Sequence, residues 1–395
     1  MTHILTVNVG SSSIKLDLYE VNEKPKLVLQ ATVDNIGQVN TSLTFMVDGQ
    51  NNSNNPVRAS NHIEAANIMI DWLKQQSDSK DISVIGHRIV HGGPNYFESV
   101  FIDDAVKANL KDLIPFDPEH LPVELSLIEK FQKEFANARQ VACFDTAFHH
   151  NLPSVARLLP LPRHYEAKGI RRYGFHGLSY SYVLGEVGKL DGSDFSSSKV
   201  IIAHLGSGVS VVAIKDGKSI DTTMSLTPNS GVPMSKRSGD LDPGLFSYLT
   251  ETENLSTQEF DNLVNYKSGL LGLSEISADM KELLDKETKD SRAKETVDLF
   301  CYQVKKAIGS LVSALGGVDT IVFTGGMGEN APKIRARICE GLDFLGVQLD
   351  TSANESNSIL ISPATNKVKV RVIKTNESAT IVKEVLLLVS RDKSI

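Results

Sequence analysis

Ten polar side chains stand at the ends of apolar runs or beside glycine-rich turns: Asn8, Ser11, Ser13, Lys15, Arg88, Asp145, His176, His204, Arg237 and Glu377. Singly, each has a plain structural reading. An arginine after a strand is more often a surface ion pair than an oxyanion clamp, and a lone histidine is more often a satisfied structural residue. Together they include two arginines, a lysine and two acids, spread over both halves of the chain. Phosphoryl transfer requires that set, because cations must surround a metaphosphate-like transition state and an acid must hold the accompanying divalent ion.

The elements that must position these groups are legible around them. Residues 6–15 read TVNVGSSSIK, an apolar strand, a Gly-Ser-Ser-Ser turn and a second strand in which Ile14, Leu16 and Leu18 alternate with Lys15 and Asp17. Such a turn sets backbone N–H groups and hydroxyls at a sheet end, where they suit phosphate. The pattern recurs: ILTVNVGSSSIKLDL at 4–18 is echoed by VIIAHLGSGVSVVAI at 200–214, which predicts two related domains whose first hairpins face a shared cleft. Between the echoes, strands end in His-Arg-Ile-Val-His-Gly-Gly at Gly93 and in Phe-Asp-Thr-Ala-Phe-His-His at His150. After them comes a hairpin through Lys215-Asp216-Gly217-Lys218, and polar turn residues gather from Pro228 to Pro243.

Val297, Phe300, Val304, Ile308, Leu311 and Leu315 recur at steps of three and four, predicting an amphipathic helix over 293–315 that Gly316-Gly317 ends. A strand over 320–323 leads into the turn Gly-Gly-Met-Gly-Glu-Asn. Pro332 then opens a helix, so the turn delivers phosphate to a helix N-terminus. Residues 378–389 read as a closing helix, and the Asn/Ser run 51–55 as an exposed loop tip. No Gly-Lys-Ser/Thr follows a Walker spacing, and no Gly-x-Gly-x-x-Gly follows the first strand, which argues against a P-loop kinase and a dinucleotide enzyme.

With 395 residues the chain is long enough for two domains with substantial cores. A formal net charge of −7 argues against a nucleic-acid surface. Cys143, Cys301 and Cys339 lie far apart with no metal-ligand spacing, which fits a reduced cytoplasm. The N-terminus lacks signal-peptide regions, and no stretch reaches the roughly 20 apolar residues of a membrane span.

The chain resembles the acetate kinase family nearly end to end. The matching stretches are Asn8-Val9-Gly10-Ser11-Ser12-Ser13-Ile14-Lys15, Gly86-His87-Arg88-Ile89-Val90-His91-Gly92-Gly93, Phe144-Asp145-Thr146-Ala147-Phe148-His149, Tyr173-Gly174-Phe175-His176-Gly177, Arg237-Ser238-Gly239-Asp240-Leu241-Asp242-Pro243, Gly328-Glu329-Asn330 and Thr375-Asn376-Glu377. The resemblance implies an α/β fold of two related domains of the actin, hexokinase and Hsp70 type, a duplicated ribonuclease H-like fold around a central cleft. The N-terminal domain would be 1–150 plus 378–395, and the nucleotide-binding domain 151–377. It also implies reversible, direct in-line transfer between ATP and acetate, giving acetyl phosphate and ADP, in a cytoplasmic homodimer.

By the same resemblance, Asn8 and Glu377 would hold magnesium (manganese being an alternative), and Lys15 would lie near the phosphates. Arg88 would bind the substrate carboxylate, and Arg237 with His176 would stabilise the transferring group. Asp145, already ionised at neutral pH, would orient an arginine or the metal shell rather than serve as a strong base. Val90, Phe116, Phe175 and Pro228 would line the acyl pocket. His204, Leu205, Gly206, Ser207, Gly208, Asp279, Met280, Lys281, Gly326, Met327, Gly328, Glu329 and Asn330 would build the nucleotide site. For Asp279 a helix cap is the competing reading.

Departures from the family pattern cluster around the site. Ser207 stands where asparagine is usual, Lys281 where arginine is usual, and Met234-Ser235-Lys236-Arg237 replaces Met-Gly-Thr-Arg. The segment Leu113-Ile114-Pro115-Phe116-Asp117-Pro118 is one residue shorter than usual and lacks its histidine; His120 is offset and is not assigned that role. Two alternatives therefore stand beside an acetate kinase: a paralogue acting on propionate, butyrate or another small carboxylate, and a nucleotide-binding regulator that has lost turnover.

Overall fold

The computed structural model describes residues 2–47, 49–76, 79, 81–192 and 198–392. The chain divides into two compact units, Met1–Ala147 with Asn376–Ile395, and Phe148–Thr375. Among the described residues no helix is long and apolar enough to cross a membrane. All three cysteines are free and buried.

The first unit is built on an eight-stranded sheet. Its strands are β1 (Thr2–Val9), β2 (Ile14–Val21), β3 (Pro25–Asp34), β4 (Ser42–Val47), β5 (Gln50–Pro56), β6 (Ile82–Ile89), β7 (Val100–Phe101) and β8 (Arg139–Phe144), in the order β5-β4-β3-β2-β1-β6-β8-β7. The second unit carries five strands: β9 (Lys199–Leu205), β10 (Val209–Lys215), β11 (Lys218–Thr222), β12 (Thr320–Thr324) and β13 (Lys369–Val372), ordered β11-β10-β9-β12-β13. In each, an antiparallel meander, of five strands in the first sheet and three in the second, is continued by two strands parallel to its first: β1, β6 and β8 in one sheet, β9, β12 and β13 in the other, with β7 added antiparallel to β8 in the first. The repeated sequence pattern is thus a repeated topology, with Asn8 paired to Lys15 in one hairpin and His204 to Ser210 in the other.

Parallel central strands need cover on both faces. In the first unit one core joins Leu16, Leu18 and Ile85 to Met69 and Ile70 of the His62–Lys74 helix and to Leu127 and Phe131 of the Leu121–Glu134 helix. The Glu377–Arg391 helix covers β6, where Gly86 permits close approach: a Cβ at that position would collide with Ile381 Cγ2 and lie 3.0 Å from Val385 Cγ2. In the second unit the Ser291–Leu315 helix buries all six residues of the predicted stripe, each worth roughly 1.5–3 kcal/mol on burial. Asp290 caps its start, and Gly316 at φ 68° ends it in the left-handed conformation.

Two local expectations change. The Asn/Ser run 51–55 is not a loop tip but part of edge strand β5, paired with β4. The stretch Gly325–Asn330 is not an open turn but a short helix, separated by Ala331 alone from the Pro332–Cys339 helix.

Candidate functional site

Each unit concentrates its polar groups where β1, β6 and β8, or β9 and its neighbours, end. In the first unit Arg88 sits near the end of β6, its side chain 13% exposed. Its Nε and Nη2 donate to Asp145 Oδ2 at 3.1 and 2.6 Å, and its Nη1 to Asn8 Oδ1 at 3.3 Å and to the Val9 carbonyl at 3.1 Å. Asp145 is fully buried and opens the Asp145–His149 turn of 3-10 helix directly after β8. Glu377, first residue of the closing helix, accepts a bond from Asn8 Nδ2 at 2.6 Å and lies 3.9 Å from Arg88 Nε. A carboxylate at a helix N-terminus is favoured by the macrodipole. Burial alone would lower the Arg88 guanidinium; the charges of Asp145 and Glu377 and the bonds to Asp145 outweigh it and hold the group above its ordinary range.

Four residues singled out in the sequence, Asn8, Arg88, Asp145 and Glu377, therefore form one cluster. Lys15, opposite Asn8 in the hairpin, pairs its ammonium with the buried carboxylate of Asp17 at 3.1 Å. Val90 is buried just beyond β6, and Phe116 lies in the Ile114–Phe116 turn with its ring 5.6 Å from that of His91. Behind Val90 stands a residue the sequence reading missed. Glu124 is 2% exposed, and both its oxygens face the Val90 N–H, at 3.1 and 3.3 Å. Burial first, and then the charge of Asp117, push its carboxyl well above the usual range, against the pull of Arg88 and of the Val90 amide. Asp117 itself bonds His120 Nδ1 at 2.7 Å.

In the second unit His176 precedes the Gly177–Asp191 helix with φ 59°, a left-handed conformation uncommon outside glycine and asparagine. Its Nδ1 lies 2.8 Å from Ser210 Oγ on β10, and its ring stacks on that of His204 at 4.2 Å. His204 Nδ1 meets Ser179 Oγ at 2.9 Å, and Ser179 meets Thr375 Oγ1 at 2.7 Å. Leu205 is buried at the end of β9, and Ser207 is the exposed tip of the hairpin. Its carbonyl accepts from Ser235 N at 3.2 Å, tying the tip to the irregular segment that carries Arg237. Arg237 Nη1 donates to the Pro228 carbonyl at 2.8 Å.

Gly208 joins these groups. A Cβ on it would lie 3.1 Å from His176 Nε2 and 3.8 Å from Arg237 Nη1, so the glycine leaves open a space that both side chains border. Phe175, next to His176, is buried, and its carbonyl accepts from His149 Nε2 at 3.0 Å.

Gly325 at φ 76° packs its backbone against Leu205 and Gly206, which sets the Gly325–Asn330 helix beside the hairpin turn. Within that helix Gly326, Met327 and Asn330 are at least partly exposed, Asn330 Nδ2 bonds the Gly326 carbonyl, and Glu329 accepts from Gly325 N and Thr375 N at 3.0 and 3.1 Å. Buried Arg335 donates to the Gly328 and Glu329 carbonyls at 2.9 and 3.1 Å and so holds the other end. Asp279 caps the Met280–Lys286 helix by accepting from Lys281 N at 2.8 Å; Met280 is buried and Lys281 exposed.

Known proteins resemble this chain in sequence and fold over nearly its whole length. An acetate kinase of Clostridium kluyveri is 41% identical over 399 aligned residues, covering 98% of each chain. A propionate kinase of Francisella tularensis superposes with a TM-score of 0.89 at 35% identity, covering 97% of this chain and 99% of its own. The acetate kinase of Porphyromonas gingivalis gives 0.86 at 34% identity, with 98% and 100% covered. A sequence model of the acetokinase family matches residues 3–383, a span that takes in every group described above, and the chain belongs to that family.

Proposed function

We propose that the chain is an ATP-dependent, magnesium-requiring carboxylate kinase that interconverts acetate plus ATP with acetyl phosphate plus ADP by direct in-line transfer. The observation that carries this reading is the Arg88 cluster. A guanidinium that Asp145 holds from two nitrogens is pre-aimed. Its Nη1 is also engaged, by Asn8 and the Val9 carbonyl, so a substrate carboxylate would meet the fixed charge and the second Nη2 N–H. Asp145 is in this reading the orienter of Arg88, not a base.

The oxygens of Asn8 and Glu377, with Asp145 beside them, are hard donors of the type magnesium prefers, and the ion keeps several waters beyond such a pair. When bound, magnesium would neutralise charge on the nucleotide phosphates. Glu377 and Asn8 would hold it, while Arg88 carries the carboxylate. His176 Nε2 and Arg237 would face the transferring phosphoryl group at the Gly208 opening, where fixed donors act with little reorganisation. The glycine backbones of 206–208 and 325–328 would receive the nucleotide.

The Francisella relative is a propionate kinase, which keeps the longer acid open as a second reading. One methylene is worth only about 1–3 kcal/mol of discrimination. Initial rates with ATP, magnesium and a series of short carboxylates test both: acetate is expected to show the highest kcat/KM, and a longer acid in that place would transfer the assignment. Nucleotide binding with no ADP formation on any added carboxylate would leave a nucleotide-binding regulator instead. Arg88→Lys keeps the charge and loses the fork, so kcat/KM for the carboxylate is expected to fall by roughly a hundredfold or more; an unchanged value would remove Arg88 from substrate binding.

A further inference from the structure

We propose that Ser210 and Tyr180 are positioning residues that act through His176, as a two-hydroxyl chain that keeps the imidazole neutral at Nδ1 and presents an N–H from Nε2. The inference rests on the reading that His176 faces the transferring phosphoryl group. Its own basis is a line of bonds behind the ring: His176 Nδ1 to Ser210 Oγ at 2.8 Å, and Ser210 Oγ to the Tyr180 hydroxyl. Ser210 and Tyr180 are both fully buried, one on β10 and the other on the first turn of the helix that His176 precedes.

Each hydroxyl has one proton to give, so the chain has a direction. A phenol is much the more acidic of the two alcohols and an aliphatic oxygen the better acceptor, so Tyr180 donates to Ser210 and Ser210 donates to Nδ1. A nitrogen that accepts a hydrogen bond carries no proton, which puts the ring proton on Nε2. That is the nitrogen 3.1 Å from the position of a Cβ on Gly208, beside Arg237.

The surroundings reinforce this arrangement. His204 stacks on the same ring, Arg237 borders its Nε2 side, and His149 packs edge-on against Tyr180 at 5.7 Å. A second positive charge on His176 would meet Arg237 at once. A hydrogen bond to the neutral form of the ring and a neighbouring cation both disfavour its protonation. The left-handed backbone of His176 fits the same purpose, since a strained conformation at the helix start is kept where a side chain must be aimed.

Nitrogen NMR on the histidine-labelled full chain at neutral pH reads the tautomer directly. The expected result is a proton-free Nδ1 and a protonated Nε2 for His176. In Ser210→Ala the two forms should mix and the titration midpoint should rise. With this change kcat should drop roughly ten- to hundredfold while the carboxylate KM stays within about twofold, and Ser210→Thr should restore kcat. A protonated Nδ1 in the native chain overturns the proposal, as do unchanged nitrogen signals and kcat in Ser210→Ala. Tyr180→Phe removes one oxygen only and guards against a folding artefact: it should lower kcat in the same sense, and a wild-type kcat there cuts Tyr180 out of the chain. His176→Ala separates the two readings. A near-native kcat in that variant ends the phosphoryl-facing role and the purpose of the relay with it. A large loss there, with Ser210→Ala silent, ends the relay alone.

Discussion

Arg88 keeps its charge in a nearly closed environment because Asp145, Asn8 and Glu377 each supply an oxygen to it or beside it. Glu124, on the Val90 side of the same strand, obeys the opposite rule: buried and near Asp117, it favours its neutral form. The sign of the consequence follows. A carboxyl whose folded value is raised binds its proton more tightly when folded, so stability is full below the ordinary value of 4.5 and falls as pH rises from there through the raised folded value. Glu124→Gln keeps the shape without the titration. Urea midpoints of the two proteins should therefore diverge with pH, the native chain losing ground as pH rises above 4.5, and parallel curves would show that Glu124 ionises freely. The four chemistry-bearing residues of this cluster were legible because they break apolar runs at strand ends. Glu124 was not, although a signal existed: Leu121, Glu124, Leu125, Ile128 and Phe131 share the buried face of one helix, and an acid in that stripe must have a partner.

At the scale of elements, two glycines of the second unit separate function from folding. Gly208 has an ordinary backbone, and a Cβ there meets only the His176 ring tightly and Arg237 in ordinary contact. Gly208→Ala should therefore leave the thermal midpoint within a few degrees of native while lowering kcat at least tenfold, because the methyl occupies the space that His176 and Arg237 border. Gly325 sits at φ 76°, and a Cβ there would come within 2.9 Å of the Leu205 backbone. Gly325→Ala should cost roughly 1–3 kcal/mol or more, seen as a fall in the denaturation midpoint before any kinetic effect is read. The reverse ranking of the two variants would refute this assignment.

The same segment shows why local sequence misled. Three glycines in six residues disfavour helix by about 1 kcal/mol each, which favours a turn. Here Glu329 reaches back to the Gly325 amide, and Arg335 takes the carbonyls of Gly328 and Glu329, so tertiary bonds close both ends of a helix that propensity alone forbids. Strand β5 is the parallel case, because pairing with β4 overrides the poor strand propensity of asparagine. By contrast, the Ser291–Leu315 helix and both hairpins were legible, since their periodicity and turn residues agree with the fold.

For the molecule as a whole, the two units share a sheet topology and an acid-sensitive device. His87 on β6 is 2% exposed and bonds the Gln140 side chain at 2.7 Å; burial pushes it down to about 4, against that bond. His149 in the other unit is equally buried between Ser219 Oγ at 2.8 Å and the Phe175 carbonyl, and burial pushes it to about 4 as well. Each is neutral when folded and ordinary when unfolded. Between about pH 6.5 and 4 the unfolded chain therefore binds more protons, and stability falls as pH falls, by on the order of 3 kcal/mol per histidine across the window. The two contributions can be told apart, because the single tryptophan, Trp72, lies in the first unit and packs on Phe45. His87→Asn should flatten the pH dependence of the Trp72 fluorescence transition, whereas His149→Asn should flatten that of the remaining far-ultraviolet dichroism. The absolute stability of either variant is immaterial, since the slope against pH is what reports the proton. If the Trp72 transition of His87→Asn keeps the native slope from pH 6.5 to 4, His87 is charged in the folded chain, and the acid sensitivity of the first unit must come from elsewhere.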